Sequence, residues 1–236
     1  MVTQGELAPV RNHPPATATV EDYLVVLYVW ERDGRPAHAS LLATQIGVSQ
    51  PTAGATIKRM VRDGWVIVEE HKVLRLTAQG RQKARSVIRR HFIIERLLRD
   101  ILGVPWSRLH QEAHALEHVI SEETLMLMEE KLHHPGTCPH GNPMPGNEMA
   151  VAQWIRLIDM KAGQQGVIRR IHELAEDTPD LMSFLEQRAL MPGATITILE
   201  VQTFNQTMTV IVNGAQVVLG LAMAQSIFAQ TALMER

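Results

Sequence analysis

His110, His114 and His118 recur at every fourth residue, and Glu117 follows His114 by three, so on a helix three imidazoles and a carboxylate stand on one side. Upstream, His91 and Glu95 show the same i, i+4 relation. This restricts the fold strongly. Two helices must carry polar donors beside broad apolar stripes: Phe92, Ile93, Leu97, Leu98 and Ile101 on the first, and Leu116, Val119, Ile120, Leu125 and Met128 on the second. Such stripes exceed what one helical hairpin hides, and dimerisation is the economical expectation. Any single histidine here reads as an ordinary surface or packing residue. The group reads differently, because helical His/Glu pairs converging from two helices are a usual metal arrangement. Imidazole and carboxylate donors without a thiolate suit Mn2+, Fe2+, Co2+ or Zn2+.

The rest of the composition narrows the class. With 236 residues, 45% of them hydrophobic, the chain can bury more than one core. Its longest uncharged apolar runs, such as 23–30 and 217–223, fall well short of the ~20 residues of a membrane span. Residues 1–20 lack a basic start followed by an apolar stretch, so no secretory signal is read there and a cytoplasmic location is expected. Cys138 is the single cysteine, which excludes an internal disulfide and any CxxC zinc site. Aromatics at 4% argue against stacking platforms for single strands. Charge is uneven: residues 1–90 hold 13 Lys+Arg against 8 Asp+Glu, a net +5, and residues 91–236 hold 10 against 17, a net −7. The N-terminal part is the one suited to a polyanion.

Along the chain, a Pro-rich leader around His13-Pro14-Pro15 precedes a helix that Thr19 could cap and that runs to Arg32. A short helix at 40–46 with Leu41, Leu42 and Ile46, a Gly47-Val48 turn, and a helix from Ser49 to Arg62 follow. That third helix turns Ile57, Met60 and Val61 inward and Lys58, Arg59 and Arg62 outward. Residues 65–77 read as a short β-hairpin, and Thr77 caps the next helix. This order is a winged helix-turn-helix over 1–77, whose third helix enters the major groove. Helices over 78–102 and 107–132 form a metal-binding and dimerisation domain over 78–150, closed by the Pro/Gly-rich run HHPGTCPHGNPMPG. Residues 151–186 read as a linker carrying a helix at about 166–176. Strands at 195–202, 208–212 and 216–219, the last two joined by an Asn213-Gly214 turn, indicate a small SH3-like β-barrel over 187–236. The fold class is mainly α with small β elements. Cys138, beside His133, His134 and His140, reads as part of a turn, since a lone thiol argues against zinc.

The strings RHFIIERLL at 90–98 and HQEAHALEHVIS at 110–121 resemble the signature of the diphtheria toxin repressor family of metal-dependent regulators. TVEDYL at 19–24, the Gln50-Pro51-Thr52 helix start and GNPMPG at 141–146 support the resemblance, and the C-terminal part is similar to that family's FeoA-like SH3 domain. The resemblance implies a primary metal site at Asp22, His114, Glu117 and His118, and an ancillary site at His91, Glu95 and His110, completed from the barrel side by Glu173 and Glu176. Iron-responsive relatives usually carry Met where this chain has Asp22 and Cys where it has His114. Manganese-responsive relatives share the Asp but place an acidic residue at the position of Val25. The donor set favours Mn2+, with Fe2+ next; Zn2+ or Co2+ can substitute in vitro. The implied function is a homodimeric, metal-activated repressor of metal-homeostasis genes, bound to a pseudo-palindromic double-stranded DNA operator. Lys58, Arg59, Arg62, Lys72 and Arg75 are candidates for phosphate contacts, and Ser49, Pro51 and Thr52 for reaching bases. The family's base-reading glutamine falls on Ala55, which leaves thymine-methyl contact and groove shape for readout. Two other classes fit parts of the chain: a metal-independent winged-helix regulator with a ligand- or partner-sensing barrel, and a His/Glu metalloenzyme. The second lacks HExxH and has no need of a basic winged helix.

Overall fold

The computed structural model describes residues 16–231, so the leader read at His13-Pro14-Pro15 lies outside the described residues. The chain divides into two compact units, 1–85 and 86–236. The boundary falls within one long helix.

In the first unit, α1 (Ala18–Arg32) buries Val20, Tyr23, Leu24, Leu27 and Trp30. Its N-cap is Thr17 and not Thr19: Thr17 has the extended backbone a cap requires, and its Oγ1 accepts from the Val20 N–H at 3.4 Å. A short α2 (Ala39–Ile46) ends at Gly47, whose φ of 75° supplies the left-handed turn. Ser49 caps α3 (Gln50–Arg62) by accepting from the Thr52 N–H at 3.3 Å. The face of α3 turned inward consists of Ala53, Thr56, Ile57 and Met60. Val61 and Leu41, expected inside, are exposed, because the i, i+3 stripes are already filled by Ile57 with Met60 and by Leu42. β1 (Val66–Val68) pairs antiparallel with β2 (Leu74–Leu76), aligning Val66 with Leu76. The wing tip between them places His71 and Lys72 at positive φ.

The long helix α4 (Ala78–Asp100) starts with Thr77, whose Oγ1 accepts from the Gly80 N–H at 3.0 Å. In the second unit it is followed by a 3-10 turn (Trp106–Arg108), α5 (Leu109–Glu117) and α6 (Glu122–Lys131). The single helix expected over 107–132 is thus two. His118 is the C-cap of α5, and Ser121 begins α6 by accepting from the Thr124 N–H at 3.2 Å, with Glu122 and Glu123 in the favoured first turn. Arg89 of α4 ties to Glu122 at 2.9 Å and to Glu129 on α6. Phe92, Ile93, Leu98 and Leu125 are buried within the chain, whereas Ile101, Leu102, Val119, Met126 and Leu127 are exposed.

A six-stranded antiparallel sheet completes this unit in the order β3-β8-β4-β5-β6-β7, from β3 (Ile155–Arg156), β4 (Gln165–Ile171), β5 (Thr195–Gln202), β6 (Thr207–Val212), β7 (Ala215–Gly220) and β8 (Ile227–Thr231). The helix expected at about 166–176 is β4. Its Val167, Ile168 and Ile171 satisfy helical spacing locally, but the β-branched run finds two long-range partners, aligning Ile168 with Ala229 of β8 and Val167 with Thr195 of β5. Residues 151–186 are therefore no separate linker: they supply two strands and α7 (Pro179–Gln187) to the unit that holds the barrel. One apolar core joins Ile94 and Leu98 of α4 and Leu109 and Ala113 of α5 to Ile168, Ile196, Val210 and Leu219 of the sheet. Glu186 of α7 adds a polar clamp, accepting from the Trp106 N–H at 2.9 Å and from Ser107 Oγ at 2.6 Å. Among the described residues no helix is long and apolar enough to cross a membrane.

Candidate metal centre

α5 and its C-cap bring His114, Glu117 and His118 together. Glu117 Oε1 lies 2.9 Å from His114 Nδ1 and 3.3 Å from His118 Nε2, while Oε2 is 2.8 Å from His91 Nδ1 on α4. Burial alone would push the Glu117 carboxyl up, but His114 and His91 outweigh it and hold the group down to about 2. His114 is the open member of the set, with 55% of its side chain exposed. Asp22 sits half-buried on α1 of the first unit.

His91 reaches in two directions. Its Nε2 lies 3.3 Å from Glu95 Oε1 and 3.1 Å from His110 Nδ1. His110 Nδ1 in turn lies 3.3 Å from Glu176 Oε2, and its Nε2 is 2.9 Å from Asp177. His91, Glu95, His110 and Glu176 each direct one potential ligand atom to a common point, all within 4.8 Å of one another. Desolvation would lower both imidazoles; Glu95 and Glu117 nonetheless hold His91 up to about 10, and Asp177 and Glu176 hold His110 up to about 9.

The Pro/Gly-rich run closes this pocket from the far side. It is a tight turn, as expected: the Cys138 N–H donates to Asn142 O at 2.8 Å and the Gly141 N–H to Cys138 O at 3.0 Å. Arg96 clamps it by donating to Thr137 O at 2.8 Å. Gly141, at φ 88°, lies so close to β4 that a Cβ there would stand 1.9 Å from Arg169 O. The turn also carries side chains into the pocket, a role that the turn reading did not assign. His140 Nε2 donates to Trp106 O at 3.1 Å, which leaves Nδ1 facing Glu95 Oε1 and Glu176 Oε2, each 3.1 Å away. Cys138 stands with Glu95 and His140 as a further set of converging donors. Burial pushes its thiol up to about 12.

The polar atoms here fit a cation. Glu95 Oε2 is buried with no hydrogen-bond partner, and Glu95 Oε1, His140 Nδ1 and Glu176 Oε2 are buried with only one another and neighbouring imidazoles for contact, a set of converging donors that a cation would satisfy. Glu173, expected beside Glu176, points elsewhere: its Oε2 is 3.2 Å from Arg170, itself buried and stacked 4.5 Å over Phe228. Neither glutamate lies on the expected helix: Glu173 opens a 3-10 turn (Glu173–Ala175) after β4 and Glu176 caps its end. Cys138 and His140, which the sequence reads as part of a turn, and Asp177, which no spacing singles out, are further functional candidates. The signal available was Cys138 and His140 two residues apart, next to a glycine.

In the winged-helix unit, Pro51, Thr52, Lys58 and Arg59 are exposed on α3, Ser49 is its cap, and Lys72 is exposed at the wing tip. Arg62 pairs with Asp63 at 2.7 Å and Arg75 with Glu69 at 3.1 Å.

A winged helix followed by a helical His/Glu unit and a small barrel defines a metal-dependent transcriptional regulator. Comparison with known proteins agrees. Family models match in order: the N-terminal DNA-binding domain of the iron-dependent repressors over 16–74, their metal-binding and dimerisation domain over 77–146, and a FeoA domain over 155–231. The iron-dependent repressor IdeR of Mycobacterium leprae is 35% identical over 191 residues, spanning 76% of this chain and 83% of that protein. The diphtheria toxin repressor of Corynebacterium diphtheriae is 32% identical over 191 residues, spanning 77% and 84%. A solved manganese-dependent transcriptional repressor in complex with manganese superposes with a TM-score of 0.77 at 29% identity, over 90% of this chain and all of that one. The chain belongs to the iron-dependent, diphtheria-toxin-repressor family of metal-dependent transcriptional repressors.

Proposed function

We propose that this protein is a cytoplasmic, homodimeric repressor that binds a pseudo-palindromic DNA operator when a divalent metal is plentiful, with Mn2+ as the physiological ion and Fe2+ as the alternative, and that it has no enzymatic activity. The observation that carries the reading is the convergence of His114, Glu117 and His118 in a chain that also bears a winged helix with an exposed basic helix face. Hard N and O donors with no sulfur favour Mn2+ or Fe2+ at this position.

Asp22, from α1, is assigned as the fourth ligand on the family's pattern. When bound, the ion supplies a Lewis-acidic centre that holds imidazole and carboxylate donors in one coordination sphere. Glu117 does two jobs: Oε1 faces His114 and His118, and Oε2 orients His91 through its Nδ1, so the two donor clusters share a hydrogen-bonded link. His91, Glu95, His110 and Glu176 form the ancillary set, with Glu173 left to Arg170. Because Asp22 belongs to the reading unit and the other three ligands to the second unit, metal and operator binding reinforce each other by linkage. Lys58, Arg59, Arg62 and Lys72 contact phosphates, and Ser49, Pro51 and Thr52 lie where a major-groove helix presents its N-terminus. The exposed Val119, Met126 and Leu127, with Ile101 and Leu102, supply the apolar surface of the dimer.

Operator binding titrated anaerobically with Mn2+, Fe2+ and Zn2+ tests this reading, with wild type and His118→Ala compared. Affinity should rise with metal in the wild type and stay at the EDTA level in the variant. Equal binding in EDTA and in metal contradicts it.

A further inference from the structure

The ancillary pocket contains more donors than one ion uses, and they are arranged in two overlapping sets. Glu95 turns the same oxygen, Oε1, toward His91 Nε2 at 3.3 Å and toward His140 Nδ1 at 3.1 Å. Glu176 does likewise, its Oε2 lying 3.3 Å from His110 Nδ1 and 3.1 Å from His140 Nδ1. One half of the pocket is therefore His91 and His110, all imidazole. The other is His140 with the Cys138 sulfur, to which the His140 N–H donates at 3.3 Å. Glu95 stands between the halves and belongs to both sets of converging donors, whereas Glu176 converges with the imidazole half and reaches only His140 of the other. Glu95 and Glu176 are almost wholly buried; Glu95 Oε1 and Glu176 Oε2 meet only imidazole nitrogens, at 3.1–3.3 Å, and Glu95 Oε2 is buried with no hydrogen-bond partner. The fourth, Glu176 Oε1, accepts from Asn142 Nδ2 at 2.6 Å, which fixes the carboxylate in place.

We infer that this pocket is a metal discriminator: it holds one ion at a time, in the His91/His110 half for an ion preferring nitrogen and oxygen, or in the Cys138/His140 half for a thiophilic ion, and the shared Glu95 makes the two mutually exclusive. The inference rests on the reading of the ancillary set as a metal site. Two carboxylates balance one dication, and a second dication in the same sealed volume would lack counter-charge and solvation. Ligand softness decides which half fills: Mn2+ and Fe2+ suit the imidazole half, Zn2+ and Cd2+ the half with sulfur. Occupation of the second half removes the Cys138 thiol proton to solvent and forms a sulfur–metal bond. A thiophilic ion thus displaces Mn2+ or Fe2+ from the pocket whatever ion occupies His114, Glu117 and His118.

The test uses the full-length protein carrying both His114→Ala and His118→Ala, which strips the open cluster of its imidazoles and leaves the pocket to take up Mn2+. It is loaded with Mn2+, and Cd2+ is added while free Mn2+ is followed by electron paramagnetic resonance and the thiolate-to-cadmium band by ultraviolet absorption. One equivalent of Cd2+ should release one of Mn2+ as the band appears. With Cys138→Ser added, Mn2+ should bind as before and at least about tenfold more Cd2+ should be needed to displace it. Cd2+ binding without the band, Cd2+ and Mn2+ held together, or displacement indifferent to Cys138→Ser would overturn the inference, as would failure of Mn2+ to enter the pocket. The band in unsubstituted Cys138 protein decides the matter even if Cys138→Ser does not fold. Each of these failures leaves metal-dependent operator binding by the wild type as a separate result, so the discriminator and the repressor reading fail independently.

Discussion

The two donor clusters of the second unit differ chiefly in access to water. His114 and His118 have 55% and 25% of their side chains exposed, whereas Glu95, His140 and Glu176 have 1% or less. An open cluster exchanges its ion with the surroundings and suits sensing. A sealed one carries desolvated, unmatched polar atoms, and filling it converts binding free energy into folding free energy. The same residue types at the same helical spacing therefore serve different ends, and what separates them is the Cys138–Asn142 turn pressed against β4.

The largest effect should come from removing that seal. Gly141→Ala places a Cβ against Arg169 O at a positive φ, and we expect a loss of about 3–5 kcal/mol in urea unfolding of the metal-free protein. A substitution tolerated without loss would show that the turn does not close the pocket.

Filling the pocket should come next. At a hundredfold excess of Mn2+ over its dissociation constant the gain is about 2.7 kcal/mol, a rise in Tm of roughly 5–10 °C. Glu95→Gln should abolish most of that rise, and His118→Ala should keep most of it. The reverse pattern would assign the stability to the open cluster.

The pH dependence sharpens the contrast. His91 and His110 are held up to about 10 and about 9 by their carboxylate partners, so their charged pairs stabilise the metal-free fold fully below about 6.5, the unfolded value, and are lost as pH rises through those raised values. Metal binding needs both imidazoles neutral and must expel their protons. The metal-induced rise in Tm should therefore grow between pH 6.5 and 9, and calorimetry in buffers of different ionisation enthalpy should register proton release. A flat response would place the ion elsewhere.

The smallest effect separates neighbouring glutamates. Glu176→Gln should weaken Mn2+ binding to the pocket by at least about tenfold, while Glu173→Gln should leave it within about twofold, because Glu173 is held by Arg170.

These distinctions were unequally legible in the sequence. His91 with Glu95, and His110 with His114 and Glu117, were readable because a helix fixes which side chains share a face. The break after His118 was written in Ser121-Glu122-Glu123, a cap followed by an acidic turn, but the apolar stripe running through it hid the signal. The segment that forms β4 reads locally as a helix because Val167, Ile168 and Ile171 suit both periods, and the choice is made by pairing with β8 some sixty residues on. The pocket role of Cys138 and His140 was hidden for a related reason. It depends on Gly141 meeting β4 and on the Trp106 carbonyl accepting from His140 Nε2, contacts between distant segments that no local spacing encodes.

That Asp22 and the open cluster share one ion is proposed here on the family's pattern, and Asp22→Asn tests it most directly. Mn2+ should still bind through His114, Glu117 and His118, while the metal-induced gain in operator affinity falls by at least about tenfold in an anaerobic shift assay. Operator binding by Asp22→Asn that responds to Mn2+ as the wild type does would contradict the claim.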